Sequence, residues 1–149
     1  MAIITEEDAA TLRTLFEEQL KGDVTLVHYT QRESKIYVPG VVPCAACRDT
    51  KQLLEELVEL SDKLHLETYD FVADAEVAAA AGVDKIPATV VRGGDGGERA
   101  RFYGAPSGYE FTSLLEDILD VGDGGPALPD RVVEALKQVD EPVDRKSVV

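Results

Sequence analysis

The run Val24-Thr25-Leu26-Val27-His28-Tyr29-Thr30 constrains the fold most. Its β-branched and aromatic residues favour extended backbone, and apolar residues fall on both of its faces, as in a strand at the middle of a sheet. The flanking sequence supplies helices to cover such a sheet. Before the run, Thr5-Glu6-Glu7-Asp8 reads as a capping box, Leu12, Leu15, Phe16 and Leu20 recur at helical spacing, and Gly22 stops the helix. After it, Gln31–Val42 reads as a loop with a short extended piece at Ile36-Tyr37-Val38. Leu53, Leu54, Leu57, Val58, Leu60 and Leu64 then predict a long amphipathic helix. Leu66–Val72 predicts a second strand, and Asp74 is placed to cap a short alanine-rich helix that Gly82 ends.

Ile86-Pro87-Ala88 leads into a third strand, Thr89–Val91. The glycine-rich turn Gly93–Gly97 joins it to a fourth, Arg99–Tyr103. Phe111, Leu114, Leu115, Ile118 and Leu119 mark another helix. Gly122–Pro129 reads as a linker, Val132, Val133, Leu136 and Val139 as a last helix, and Glu141–Val149 as a frayed tail. Strand–helix–strand order implies a parallel pair, and the hairpin adds an antiparallel edge. The expectation is an α/β fold with a four-stranded mixed sheet flanked by helices. One domain would span residues 1–121, with linker, helix and tail over 122–149.

A length of 149 residues suits a single core, and 44% apolar with 30% charged residues is an ordinary globular mixture. The net charge of −14 leaves no basic surplus to displace counterions, which argues against nucleic acid and against anionic membranes as partners. The start, MAIITEEDAATLRT, has no basic and apolar leader pattern, and no apolar run reaches membrane-span length. A cytoplasmic location is expected. There a lone CxxC is more often redox-active or metal-binding than structural.

Both cysteines lie in Val41-Val42-Pro43-Cys44-Ala45-Ala46-Cys47-Arg48-Asp49-Thr50, after the first strand and where the long helix begins. A helix N-terminus offers unpaired N–H groups and about half a positive charge, and both stabilise a thiolate, the nucleophile of thiol–disulfide exchange. Three-residue spacing on a first turn brings the sulfurs within bridging reach. Cys44, at the open helix end, is the expected attacking thiol and Cys47 the resolving one. Ala45-Ala46 adds no charge or proton donor, so the pKa of Cys44 should be lowered moderately, by the helix end itself. Arg48 could tune Cys44, though its simpler reading is a solvated surface residue.

A CxxC between the first strand and a long helix, followed by Ile-Pro before a hairpin, resembles the thioredoxin superfamily. More closely, CRDTKQLLEELVELSDKL, ETYDF, KIPATVV and RFYGAPSGYEFTSLLEDILDV resemble the N-terminal unit of a glutaredoxin-like protein disulfide oxidoreductase. The resemblance implies that the Ile86–Pro87 bond is cis, faces the cysteines and helps to bind substrate. It also sets His28 at or near the position of a buried acid that moves protons for the resolving cysteine. A packed core histidine is the simpler reading of His28, and a surface position that of His65. The long Gln31–Val42 segment departs from the family pattern.

These features point to a protein-disulfide oxidoreductase that needs no cofactor. It would act on protein disulfides or on a peroxiredoxin, and would draw electrons from a thioredoxin-reductase-like flavoprotein or glutathione. Two alternatives stay open at this stage. One is a zinc or iron–sulfur protein in which the two thiolates supply half a site. The other is a non-catalytic interaction module on the same fold.

Overall fold

The computed structural model describes residues 2–32, 39 and 42–145. The extended piece expected at Ile36-Tyr37-Val38, and residues 146–149 of the tail, lie outside the described residues. Five helices, α1 (Glu6–Gln19), α2 (Cys47–Val58), α3 (Ala75–Ala80), α4 (Tyr109–Gly122) and α5 (Asp130–Leu136), accompany four strands. These are β1 (Val24–Thr30), β2 (Leu64–Asp70), β3 (Ala88–Gly93) and β4 (Glu98–Tyr103), all counts among the described residues. The strands form one sheet in the order β2-β1-β3-β4. β1 runs parallel to β2 and antiparallel to β3, and β3 and β4 form the hairpin.

β1 is central, and six of its seven residues are buried. Alternation sends Val24, Leu26 and His28 to one face, Val27 and Tyr29 to the other. On the first face, Val24, Leu26 and Val91 pack with Leu12 and Phe16 of α1, Leu54 and Leu57 of α2, and Leu114 and Ile118 of α4. On the second, Val27, Tyr29, Ala88 and Val90 pack with Ala78 of α3 and Val83.

The N-cap half of the capping box forms, with Thr5 Oγ1 accepting the Asp8 N–H at 3.1 Å, while the Asp8 carboxylate accepts the Thr5 hydroxyl at 2.7 Å. The helix after the cysteines is shorter than its leucine pattern predicts. It ends at Val58, and Leu64 opens β2 instead of closing a helix. Tight turns, Ser61 N–H to Val58 O and Leu64 N–H to Ser61 O, break the helix, and the Lys63 carbonyl accepts the Val24 N–H to start the sheet. Asp74 sits at the head of α3 without capping it through its side chain. Its carboxylate accepts the Asp70 N–H instead, at 2.8 Å. α5 has no buried residue.

Gly22, before β1, packs directly against Gly122 at the end of α4. A Cβ on Gly22 would meet the Gly122 carbonyl oxygen at 2.7 Å. That neighbour is backbone, so helix and loop would have to part. We expect Gly22→Ala to cost about 1–3 kcal/mol, read as a lower urea midpoint with unchanged slope.

Candidate active site

β1 delivers the chain to the cysteine segment at its C-terminal end. Because β3 is antiparallel and pairs Ala88 with Tyr29, the segment before β3 returns to that same end of the sheet. Pro87 is buried there, Ile86 is half-buried, and the Ile86–Pro87 bond is cis. The sheet thus gathers the end of β1, the start of α2 and the Ile-Pro segment at one edge.

Cys44 and Cys47 are joined as a disulfide with Cα atoms 5.4 Å apart. α2 begins at Cys47, so the pair straddles the helix start instead of lying within its first turn. Cys44, Ala45 and Ala46 form a turn closed by the Cys47 N–H to the Cys44 carbonyl at 3.3 Å. The bridge nevertheless carries the Cys44 sulfur to the helix mouth. The two cysteines differ in exposure: Cys44 is half-buried, whereas Cys47 is 1% exposed.

Side chains that no sequence motif singles out hold this turn. Gln31, the first residue past β1, accepts the Cys44 N–H through Oε1 at 3.1 Å. Thr50, buried in the first turn of α2, donates its hydroxyl to the Ala46 carbonyl at 2.7 Å. Away from this turn, at the end of β2, Asp70 accepts the backbone N–H of Arg32 at 3.0 Å and those of Val72 and Ala73. These bonds, the one from Ala73 foremost, hold its carboxyl below the usual aspartate range. No sequence pattern marks Gln31, because its role depends on where the turn returns in space.

His28 is fully buried, one strand position from the end of the same face as Leu26. Its Nδ1 lies 3.2 Å from the Ala88 carbonyl oxygen. Burial drives its pKa down to about 4, opposed in part by the Ala88 hydrogen bond; Lys51 lowers it further, while Glu55 and the Cys47 backbone pull it up. The ring is therefore neutral at pH 7 and sits against the start of α2. Arg48 is exposed, on the rim of a groove of about 420 Å³ that Thr30, Gln31, Cys47 and Lys51 also line. His65 lies on β2, not at a helix end; it is exposed and pairs with Asp23 at 2.9 Å.

Among the described residues, no group of three His, Cys, Asp or Glu side chains is placed to hold a metal ion, and no helix is long and apolar enough to cross a membrane.

No protein-family model matches the sequence, and no curated protein sequence matches it. Solved structures do. The protein disulfide oxidoreductase of Aeropyrum pernix superposes with a TM-score of 0.74 at 24% identity, over 93% of this chain and 56% of that one. The AhpF component of alkylhydroperoxide reductase from Enterococcus faecalis gives 0.71 at 24% identity, over 87% of this chain and 58% of that one. Thioredoxin of Fasciola hepatica gives 0.51 at 25% identity, over 72% of this chain and 91% of that one. The chain thus spans a little over half the length of the first two. The likeness is one of fold.

Proposed function

We propose that this chain, which has the thioredoxin-like fold, is a thiol–disulfide oxidoreductase that exchanges its Cys44–Cys47 pair with disulfides of protein substrates. The observation that carries the reading is the bridged pair at the mouth of α2, with Cys44 half-buried and Cys47 buried. In the reduced protein, the Cys44 thiolate attacks a substrate disulfide. One substrate sulfur leaves with the electron pair and takes a proton, and the other stays bound to Cys44 in a mixed disulfide. Cys47 then attacks the Cys44 sulfur. The internal bridge forms, the second substrate thiol leaves, and the protein is oxidised by two electrons while the substrate is reduced by two. Ile86 and Pro87 would bind the substrate backbone as an added extended strand beside the pair.

The substrates we propose are protein disulfides, including that of a peroxiredoxin; the name of the Enterococcus neighbour supports that choice. A flavoprotein of the thioredoxin-reductase type, or glutathione, would re-reduce the pair in the cytoplasm. The test is reduction of insulin disulfides with dithiothreitol as the electron source. The protein should raise the rate well above dithiothreitol alone; a rate equal to that background would sink the reading.

A further inference from the structure

The groove of about 420 Å³ beside the cysteine turn lies between the end of β1 and the flank of α2. Gln31 and Cys47 line it together with Arg32, Arg48, Lys51 and Glu55. Its charge runs against that of the chain. The sequence has 15 Lys and Arg against 29 Asp and Glu. Among the described residues, the groove has three cations and one carboxylate.

The acids near these cations do not cancel them. Glu55 meets Lys51 at 3.5 Å, but both side chains are about half exposed, and a surface pair of this kind is weakly held. Asp70, at the end of β2, has both oxygens on backbone N–H groups, those of Arg32, Val72 and Ala73. The Arg32 guanidinium comes no nearer to it than 4.0 Å, on a side chain that is 88% exposed.

The place of the groove sets what can reach it. β1 lies between β2 and β3. Ile86-Pro87 leads into β3 on one side of β1, and the bond from Arg32 N–H to Asp70 puts the groove on the other side, toward β2. The cysteine turn, tied to Gln31, lies between them. Neighbouring strands are about 4.8 Å apart, so the crossing from one side to the other is about 10 Å, which an extended peptide covers in roughly three residues.

We propose that Arg32, Arg48 and Lys51 recognise acidic side chains of the protein substrate, placed about two to four residues from the cysteine that Cys44 attacks. The inference rests on the exchange reading above and narrows its substrate class to disulfides flanked by Asp or Glu. The cations position the substrate and take no part in the sulfur chemistry. The net charge of −14 repels an acidic partner at a distance. The attraction is a contact effect, felt within a Debye length of about 8 Å at physiological salt. Added salt weakens attraction and repulsion together, so charge reversal is the informative test.

The probes are fluorogenic disulfide peptides that differ only in carrying Glu, Gln or Lys about three residues to each side of the reactive cysteine. In single-turnover reduction, the concentration-dependent phase reads attack by Cys44. The wild type should attack the Glu peptide roughly five- to tenfold faster than the Gln peptide, with the Lys peptide slowest. Arg48→Glu should lower the ratio of Glu to Gln rates roughly tenfold and make the Lys peptide the fastest, and Lys51→Glu should shift the ratio the same way. Arg131→Glu makes the same change in net charge on α5, which has no buried residue, and should keep the wild-type ratio.

Equal wild-type rates for the three peptides would overturn this inference alone, leaving the exchange reading intact. Uniform slowing in Arg48→Glu with the order of peptides kept would overturn it too, since that is the mark of a cation acting on the Cys44 thiolate. An equal fall of the ratio in Arg131→Glu would overturn it as an effect of net charge. A wild type that attacks none of the peptides would overturn the exchange reading itself, and this inference with it.

Discussion

Cys44→Ser should abolish insulin turnover, lowering the rate by roughly a hundredfold or more, while Cys47→Ser should react once and stall. The two outcomes differ because the cysteines are not equivalent in the fold. Cys44 is half-buried in a turn that Gln31 fixes to the end of β1, open to a substrate sulfur. Cys47 is buried at the first residue of α2. A serine at position 44 leaves no nucleophile that a bulky substrate can reach. A serine at position 47 leaves the first attack intact and removes the only internal thiol that can release the product. The stalled species is a covalent adduct of protein and substrate, visible as added mass that dithiothreitol removes. Equal residual activity in both variants, or an adduct on Cys44→Ser in place of Cys47→Ser, would reverse the assignment of roles.

The second large effect is on stability. His28 should make the protein lose about 2 kcal/mol of unfolding free energy between pH 7 and pH 5. In the unfolded chain a histidine titrates near 6.5, whereas burial holds folded His28 down to about 4. The contribution is fully present above the unfolded value, because the ring is then neutral in both states. As pH falls from about 6.5 toward 4, the unfolded state takes up a proton that the folded state refuses, and stability declines. Carboxylates whose folded pKa values are lowered, such as Asp70, add losses only at more acid pH, and Asp117, raised by burial, acts in the opposite direction, so the loss between pH 7 and 5 is assigned to the histidine by comparison with its variant. Urea titrations of the wild type and His28→Gln at both values check this. The variant should lack most of the pH-dependent loss, and equal slopes in the two proteins would contradict the buried neutral ring.

Much of the fold was legible because its signals are local. The two-sided apolar run of β1 marks a central strand whatever its neighbours do, and its bounds, Val24–Thr30, match the structure. The hairpin was equally plain from Gly93–Gly97. The end of α2 was not. Leu60 and Leu64 continue the helical spacing, but turns at Val58–Leu64 and the pairing of Val24 with Leu64 draw that stretch into the sheet. Tertiary hydrogen bonding overrides periodicity there.

The site divides in the same way. The cysteine pair and the Ile-Pro segment carry their own sequence marks. Gln31 and the contact of Gly22 with Gly122 do not, since each depends on a partner distant in sequence.

The central claim is that the Cys44 sulfur is activated at the mouth of α2. Alkylation of the reduced protein across pH, with mass readout of which cysteine is modified, tests it most directly. Cys44 should react first, with a half-point between roughly 6 and 7.5, while Cys47 lags until the protein unfolds. A half-point for Cys44 near 8.5, the value of an unperturbed thiol, or faster modification of Cys47, would contradict it.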